Sequence, residues 1–290
     1  MKVVIRIFPP PRWKKNYLEN YIKKHKLPCM VFPSQAKFKA ELKDTDVLVS
    51  NKLTTSELKL AKNLKFLIIP TSGTENIVLH EALSKNIKII QNKDVMAKAV
   101  ARYALDNLRK ISNNKLGLFL KDKVVGILGF GHLGKFLFNA LLPHGCKFLI
   151  IKKTNINGTN KKYSLDFVGG LNKINYVIKN SDIIINTLPL SKETKGLLKN
   201  KTSLLKEGAV ILNLSRKGIL SEKRILEKVK KGILGGAILD VYSRSIDESR
   251  YKQKNIIMTP HIAGIYGNGI INITKFIIKE VKKIRHSLVH

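Results

Sequence analysis

The run Val124-Val125-Gly126-Ile127-Leu128 enters the turn Gly129-Phe130-Gly131-His132-Leu133-Gly134. The segment Lys135-Phe136-Leu137-Phe138-Asn139-Ala140-Leu141-Leu142 leaves it with helical periodicity. An apolar strand, a G-x-G-x-x-G turn and a helix in that order specify the opening βα unit of a dinucleotide-binding sheet. The glycines have separate tasks. Gly129 permits the tight turn, Gly131 lets the backbone approach a pyrophosphate, and Gly134 lets the helix pack closely on the strand. His132 and Leu133 begin the helix, whose N-terminal amides and partial positive charge would face the phosphates.

Similar apolar runs recur along the chain. They are Val3 to Phe8, Val47 to Ser50, Phe66 to Ile69, Ile87 to Ile90, Val124 to Leu128, Phe148 to Ile151, Ile183 to Asn186, Ala209 to Asn213, Gly236 to Leu239 and Ile256 to Met258. Helical patterns lie between most of them, and continuous rather than alternating apolarity signals strands buried on both faces. The sequence therefore predicts an α/β protein with two parallel-sheet domains, Rossmann-like and flavodoxin-like, and a cleft between them. The fingerprint begins in mid-chain, so another domain precedes it. The stretch Val95 to Ile111 is the natural bridge, and Asn268 to His286 reads as a last helix returning to the first domain. The expected division is residues 1–94 plus 265–290 for a discontinuous substrate-binding domain and 95–264 for the dinucleotide-binding domain.

Composition narrows the class. With 290 residues, 44% hydrophobic and 26% charged, the chain is of soluble globular type. No apolar run approaches the roughly 20 residues that span a bilayer, and the first strand, soon interrupted by Pro9-Pro10-Pro11, is too short for a signal peptide. Only Cys29 and Cys146 occur. That usage suits a reducing compartment, with cytoplasm as the expectation, and no structural metal. The net charge of +34 invites a nucleic-acid reading. Its excess is nearly all Lys, spread over the whole chain beside abundant Ile and Asn, and no nucleic-acid motif accompanies it. Compositional drift is the preferred reading.

Several later strands end in residues that carry chemistry. Asn186-Thr187-Leu188-Pro189-Leu190-Ser191-Lys192-Glu193-Thr194 follows one. Asn213-Leu214-Ser215-Arg216-Lys217-Gly218 follows the next, then Leu239-Asp240-Val241-Tyr242 and Met258-Thr259-Pro260-His261-Ile262-Ala263-Gly264. Ligands of open α/β sheets bind at the carboxyl ends of strands, so Arg216, Asp240 and His261 point to one cleft edge. His25, His80, His144, His286 and His290 have no such context and are expected at the surface.

In this order the segments resemble the D-isomer-specific 2-hydroxyacid dehydrogenase family, which includes glyoxylate and hydroxypyruvate reductases and glycerate and phosphoglycerate dehydrogenases. The resemblance runs from about Leu67 to about Gly264. It implies hydride transfer between NAD or NADP and a small 2-ketoacid, with glyoxylate, hydroxypyruvate or pyruvate as candidates. Arg216 would bind the substrate carboxylate and carbonyl oxygen, since a planar guanidinium suits that fork. His261 would be the acid/base, and Asp240 would hold the nicotinamide carboxamide. The resemblance also gives Leu188, Pro189, Thr194, Leu214, Ser215 and Gly264 to the cofactor site. It gives Ser72, Gly73 and Thr74 to a loop whose amides hold the substrate carboxylate. A homodimer is implied, although Arg102 stands where the family usually has Glu.

Two departures matter. The family's carboxylate partner for the catalytic His falls at Ser245, which has none; Asp247 or Glu248 could substitute if the loop is longer. Without a partner, a His near its ordinary pKa of about 6.5 would favour reduction at more acidic pH. The alternative is a homologue that binds the dinucleotide as a sensor without turnover. The ribose-binding acid expected after Phe148 to Ile151 is replaced by Lys152-Lys153-Thr154. Two cations suit a 2′-phosphate and favour NADP over NAD.

Overall fold

A computed structural model describes residues 1–7, 15–27, 29–31, 34–113, 115–154, 159, 162–163 and 165–287. Phe8, Pro9, Pro10, Pro11 and His290 lie outside the described residues. The chain divides into two compact units, residues 1–96 with 267–290 and residues 97–266.

The first unit holds a five-stranded parallel sheet. Its strands are β1 (Val3–Arg6), β2 (Cys29–Val31), β3 (Val47–Ser50), β4 (Phe66–Ile69) and β5 (Lys88–Gln91), in the order β2-β1-β3-β4-β5. This is the flavodoxin-like order. β1, β3 and most of β4 are fully buried, as their unbroken apolar runs require. β2 has no such run in the sequence reading. It is three residues long, sits at the sheet edge and is only half-buried. The C-terminal helix Gly269–Ser287 belongs to this unit, burying Ile273, Ile277, Ile278, Val281 and Ile284 at helical spacing. Arg6 at the end of β1 is buried, donates to Glu57 Oε1 at 2.8 Å and lies 3.8 Å over the Phe38 ring.

The second unit holds a seven-stranded parallel sheet. Its strands are β6 (Val124–Leu128), β7 (Lys147–Ile151), β8 (Phe167–Gly169), β9 (Ile183–Asn186), β10 (Val210–Asn213), β11 (Gly236–Leu239) and β12 (Ile256–Met258). The order is β12-β11-β10-β9-β6-β7-β8. The chain runs outward from β6 on one side, then returns to start β9 on the other. The switch point between β6 and β9 is where such sheets open a ligand crevice. Alternate residues of each strand feed two cores. Val125, Ile127, Ile150, Ile185 and Leu212 join one core, and Leu128, Leu149, Ile151, Ile184 and Ile211 the other. β8, like β2, is a short edge strand that the periodicity did not flag.

No helix among the described residues is long and apolar enough to cross a membrane. Cys29 and Cys146 are free, and burial pushes their thiols up to about 12 and about 11. His80, His132 and His286 are exposed, whereas His25 and His144 are half-buried rather than fully at the surface.

Candidate functional site

The glycine turn leaves β6 at Gly129, whose φ of +101° is open to glycine alone at little cost. Thr187, the first residue after β9, locks the turn by donating from Oγ1 to the Gly129 carbonyl at 2.7 Å. Thr187 escaped the sequence reading, although it stands inside a segment singled out there; its neighbour across the sheet was not knowable from spacing. A Cβ on Gly134 would fall 2.3 Å from the Gly129 carbonyl oxygen, so the helix His132–Leu141 can dock only through glycine. A Cβ on Gly131 would meet nothing within 4 Å. That open space, above a bare backbone at the helix N-terminus, fits the approach of a pyrophosphate. Gly134→Ala is expected to weaken NAD(P)H binding about tenfold or more, because relieving such overpacking costs roughly 1–3 kcal/mol. Fluorescence titration of bound NAD(P)H checks it, and an unchanged Kd would contradict it.

The strand ends beside the turn are tied by side-chain amides. Asn186 Nδ2 donates to Asn213 Oδ1 at 3.0 Å, and Asn213 Nδ2 donates to the Val241 carbonyl at 3.2 Å. Both Asn are fully buried, so they fix the carboxyl ends of β9, β10 and β11 in register. Leu188 receives Ser215 Oγ at its carbonyl. Thr194, also buried, closes its own loop by donating to the Pro189 carbonyl and accepting from Ser191 N at 2.8 Å. Leu214 is buried, and Gly264 sits in the short turn Ala263–Ile265.

Beyond β7 the two lysines separate. Lys152 is half-buried, and its Nζ donates to Thr159 Oγ1 at 2.7 Å. Burial first, then repulsion from Lys135, holds Lys152 below the usual lysine range. Lys153 is exposed and pairs with Glu193 at 2.8 Å. Lys135, from the first turn of the helix His132–Leu141, is the cation whose field reaches Lys152.

Arg216, Asp240, Thr259 and His261 line one concavity of about 470 Å³ at the carboxyl ends of β10, β11 and β12. Arg216 is half-buried and donates from Nη1 to the Ser215 carbonyl at 2.9 Å. His261 is exposed and has a left-handed φ of +58°, uncommon for a residue with a side chain. Its backbone N–H donates to the Asp240 carbonyl at 2.8 Å. The Asp240 carboxylate is buried. Its Oδ1 accepts from Thr259 Oγ1 at 2.7 Å, from Ile262 N at 2.8 Å and from Ala263 N at 3.1 Å.

The carboxylates near this concavity differ in position. Glu248 lines it and accepts from the Tyr242 hydroxyl; burial, then that bond, pushes Tyr242 up to about 12. Asp247 is occupied in capping the next turn, accepting from Ser249 N at 3.0 Å and Ser249 Oγ at 2.6 Å. Ser245 lines a separate concavity of about 710 Å³ with Asp247, Lys217 and Arg250, its Oγ 2.8 Å from Ser243 Oγ. Ser72, Gly73 and Thr74 stand in the first unit, on the loop after β4. Thr71 Oγ1 donates to the Gly73 carbonyl at 3.1 Å, and Gln91 Nε2 donates to the Ser72 carbonyl at 2.7 Å. Among the described residues there is no group of three or more His, Cys, Asp or Glu that could hold a metal ion.

Comparison with known proteins identifies the class. The model of the D-isomer specific 2-hydroxyacid dehydrogenase family, NAD binding domain, matches residues 79–263. A glyoxylate reductase of Thermococcus litoralis is 26% identical over 242 residues, covering 74% of this chain and 72% of its own. The crystal structure of D-lactate dehydrogenase from Aquifex aeolicus with NAD and lactic acid superposes with a TM-score of 0.71. It is 20% identical and the match covers 98% of this chain and 96% of that one. An acyclic imino acid reductase in complex with NADPH and D-Arg superposes at 0.73, with 21% identity and coverage of 99% and 98%. The two solved structures share the fold. The chain belongs to the D-isomer specific 2-hydroxyacid dehydrogenase family. It is an oxidoreductase that uses a nicotinamide dinucleotide.

Proposed function

We propose that this protein reduces a short 2-ketoacid, of the size of glyoxylate or hydroxypyruvate, to the D-2-hydroxy acid. The convergence of Arg216 and His261 on one concavity at the carboxyl ends of β10 to β12 carries the reading. A reduced nicotinamide dinucleotide, when bound, would supply the hydride. Arg216 holds the substrate carboxylate and carbonyl oxygen through its planar fork. His261 gives a proton to that oxygen as the carbonyl is reduced and recovers one from solvent, to which it is exposed. Glu248, on the same concavity and bonded to the Tyr242 hydroxyl, is the carboxylate assigned in this reading to support a protonated His261; Ser245 has no carboxylate. The sensor alternative, which rests on Ser245, predicts dinucleotide binding without ketoacid turnover. In this reading residues 97–266 bind the dinucleotide. A homodimer belongs to this reading through the family resemblance, and sedimentation of the purified protein tests it. A cytoplasmic setting fits the two free thiols.

The reading extends to NADP over NAD. Lys152, half-buried and within the field of Lys135, stands where a ribose-binding acid would otherwise stand. Lys152→Asp is expected to lower kcat/KM with NADPH about 10- to 100-fold relative to NADH, since a hydrogen bond to a charged group contributes roughly 1.5–3 kcal/mol. Steady-state rates with each cofactor check it. Equal losses with both would overturn the preference.

A further inference from the structure

We infer that Tyr103, Thr259 and Asp240 form an anchor whose work is to hold His261 in its left-handed backbone conformation, so that Tyr103 and Thr259 are positioning residues for the reaction. The inference rests on the proposed role of His261 as acid/base.

Hydrogen-bond directions along the anchor follow from valence. Thr259 Oγ1 is 2.7 Å from Asp240 Oδ1 and 2.6 Å from the Tyr103 hydroxyl. A carboxylate only accepts, so the single Thr259 hydroxyl proton goes to Asp240. The Tyr103 O–H must then donate to Thr259. The result is a directed chain, Tyr103 to Thr259 to Asp240, that ends on a carboxylate. Tyr103 is 1% exposed and Asp240 is 3% exposed, so both ends of the chain are shielded from bulk water. Such charge-terminated chains in a low-dielectric setting are stronger than exposed ones.

Asp240 spends this charge on the segment that carries His261. Its carboxylate takes Ile262 N and Ala263 N, its main-chain carbonyl takes His261 N, and Thr259 N donates to the Leu239 carbonyl at 3.0 Å. Every amide from Thr259 to Ala263, apart from Pro260 which has none, is thereby fixed to β11 or to the residue that follows it. A residue with a Cβ at φ +58° is held against its own preference, and the cost falls on these bonds. Tyr103 stands on the helix Asp94–Ile111 and is further fixed by an edge-on contact with Tyr266, ring centroids 5.4 Å apart. The anchor thus ties a helix 156 residues away in sequence to the turn of His261.

The test compares Thr259→Val, which keeps shape and removes the hydroxyl, with Thr259→Ser, which keeps the hydroxyl, and with Tyr103→Phe. Backbone amide exchange in the enzyme without cofactor reads the turn directly. Residues 261–263 should exchange at least tenfold faster in Thr259→Val, near the wild-type rate in Thr259→Ser, and at an intermediate rate in Tyr103→Phe. Exchange at residues 129–134 should stay unchanged, which separates a loosened turn from a loosened fold. Ketoacid turnover in Thr259→Val should fall about 10²-fold in kcat, the scale of a misplaced catalytic group. The Kd for NADPH should stay within twofold, and Thr259→Ser should restore kcat. Wild-type exchange at residues 261–263 in Thr259→Val would overturn the inference. So would faster exchange with unchanged kcat, or a loss of NADPH binding as large as the loss of turnover. If the wild-type enzyme turned over no ketoacid, the proposed function would fail, and the exchange comparison would still decide whether the anchor exists.

Discussion

His261→Asn is expected to lower kcat for ketoacid reduction by about 10³-fold, within the range of roughly 10² to 10⁴ that positioned acid–base groups contribute. Asparagine is the informative replacement because of the backbone. His261 has φ +58°, a region in which Asn is enriched among residues with side chains. The substitution removes the titrating imidazole without asking the turn to refold. His261→Ala would mix the lost proton transfer with a backbone penalty of roughly 1–2 kcal/mol. The bonds from His261 N, Ile262 N and Ala263 N to Asp240 do not involve the imidazole, so cofactor affinity and Tm should hardly move. The pH profile supplies a second reading. The wild-type rate of reduction should fall as pH rises through the imidazole pKa, because the neutral ring has no proton to give, and that limb should vanish in the variant. Turnover within a few-fold of wild type would show that His261 is not the acid.

Arg216→Lys should reduce kcat/KM about 10- to 10²-fold while leaving NADPH affinity intact. Lysine keeps the charge and loses the fork. Two charge-assisted hydrogen bonds to a carboxylate and its neighbouring carbonyl become one flexible contact, and each such bond contributes roughly 1.5–3 kcal/mol. The guanidinium is already oriented, since Nη1 donates to the Ser215 carbonyl and Ser215 Oγ is itself tied to Leu188. An ammonium would have no equivalent second arm. The loss should appear mainly in KM for the ketoacid if the fork binds ground and transition states equally, and in kcat if it tightens on the developing alkoxide. A variant with wild-type kcat/KM would remove Arg216 from the substrate site.

The sheets were legible because their strands are buried on both faces. Val124–Leu128, Ile183–Asn186 and Gly236–Leu239 carry unbroken apolar runs that match the observed bounds. Cys29–Val31 and Phe167–Gly169 were not legible, because short edge strands need no such run. The glycine turn could be read residue by residue, since each glycine answers a local steric demand. What holds His261 could not. Tyr103 and Thr259 meet through the fold across 156 positions, and no periodicity records a contact of that kind. Glu248 was open for a related reason: counting five residues from Asp240 reaches Ser245, and only the path of the loop brings Glu248 to the His261 concavity. The lysines after β7 were visible as a pair, yet Lys152 bonds to Thr159 while Lys153 pairs with Glu193.

Turnover of a 2-ketoacid panel by the purified protein, with NADH and NADPH in parallel and followed at 340 nm, decides whether the protein is a ketoacid reductase. Oxidation of the reduced cofactor is expected with glyoxylate or hydroxypyruvate, faster with NADPH, together with a D-configured product from hydroxypyruvate. Tight binding of NADH or NADPH without oxidation by any ketoacid would contradict it and leave a dinucleotide-binding protein in place of an enzyme.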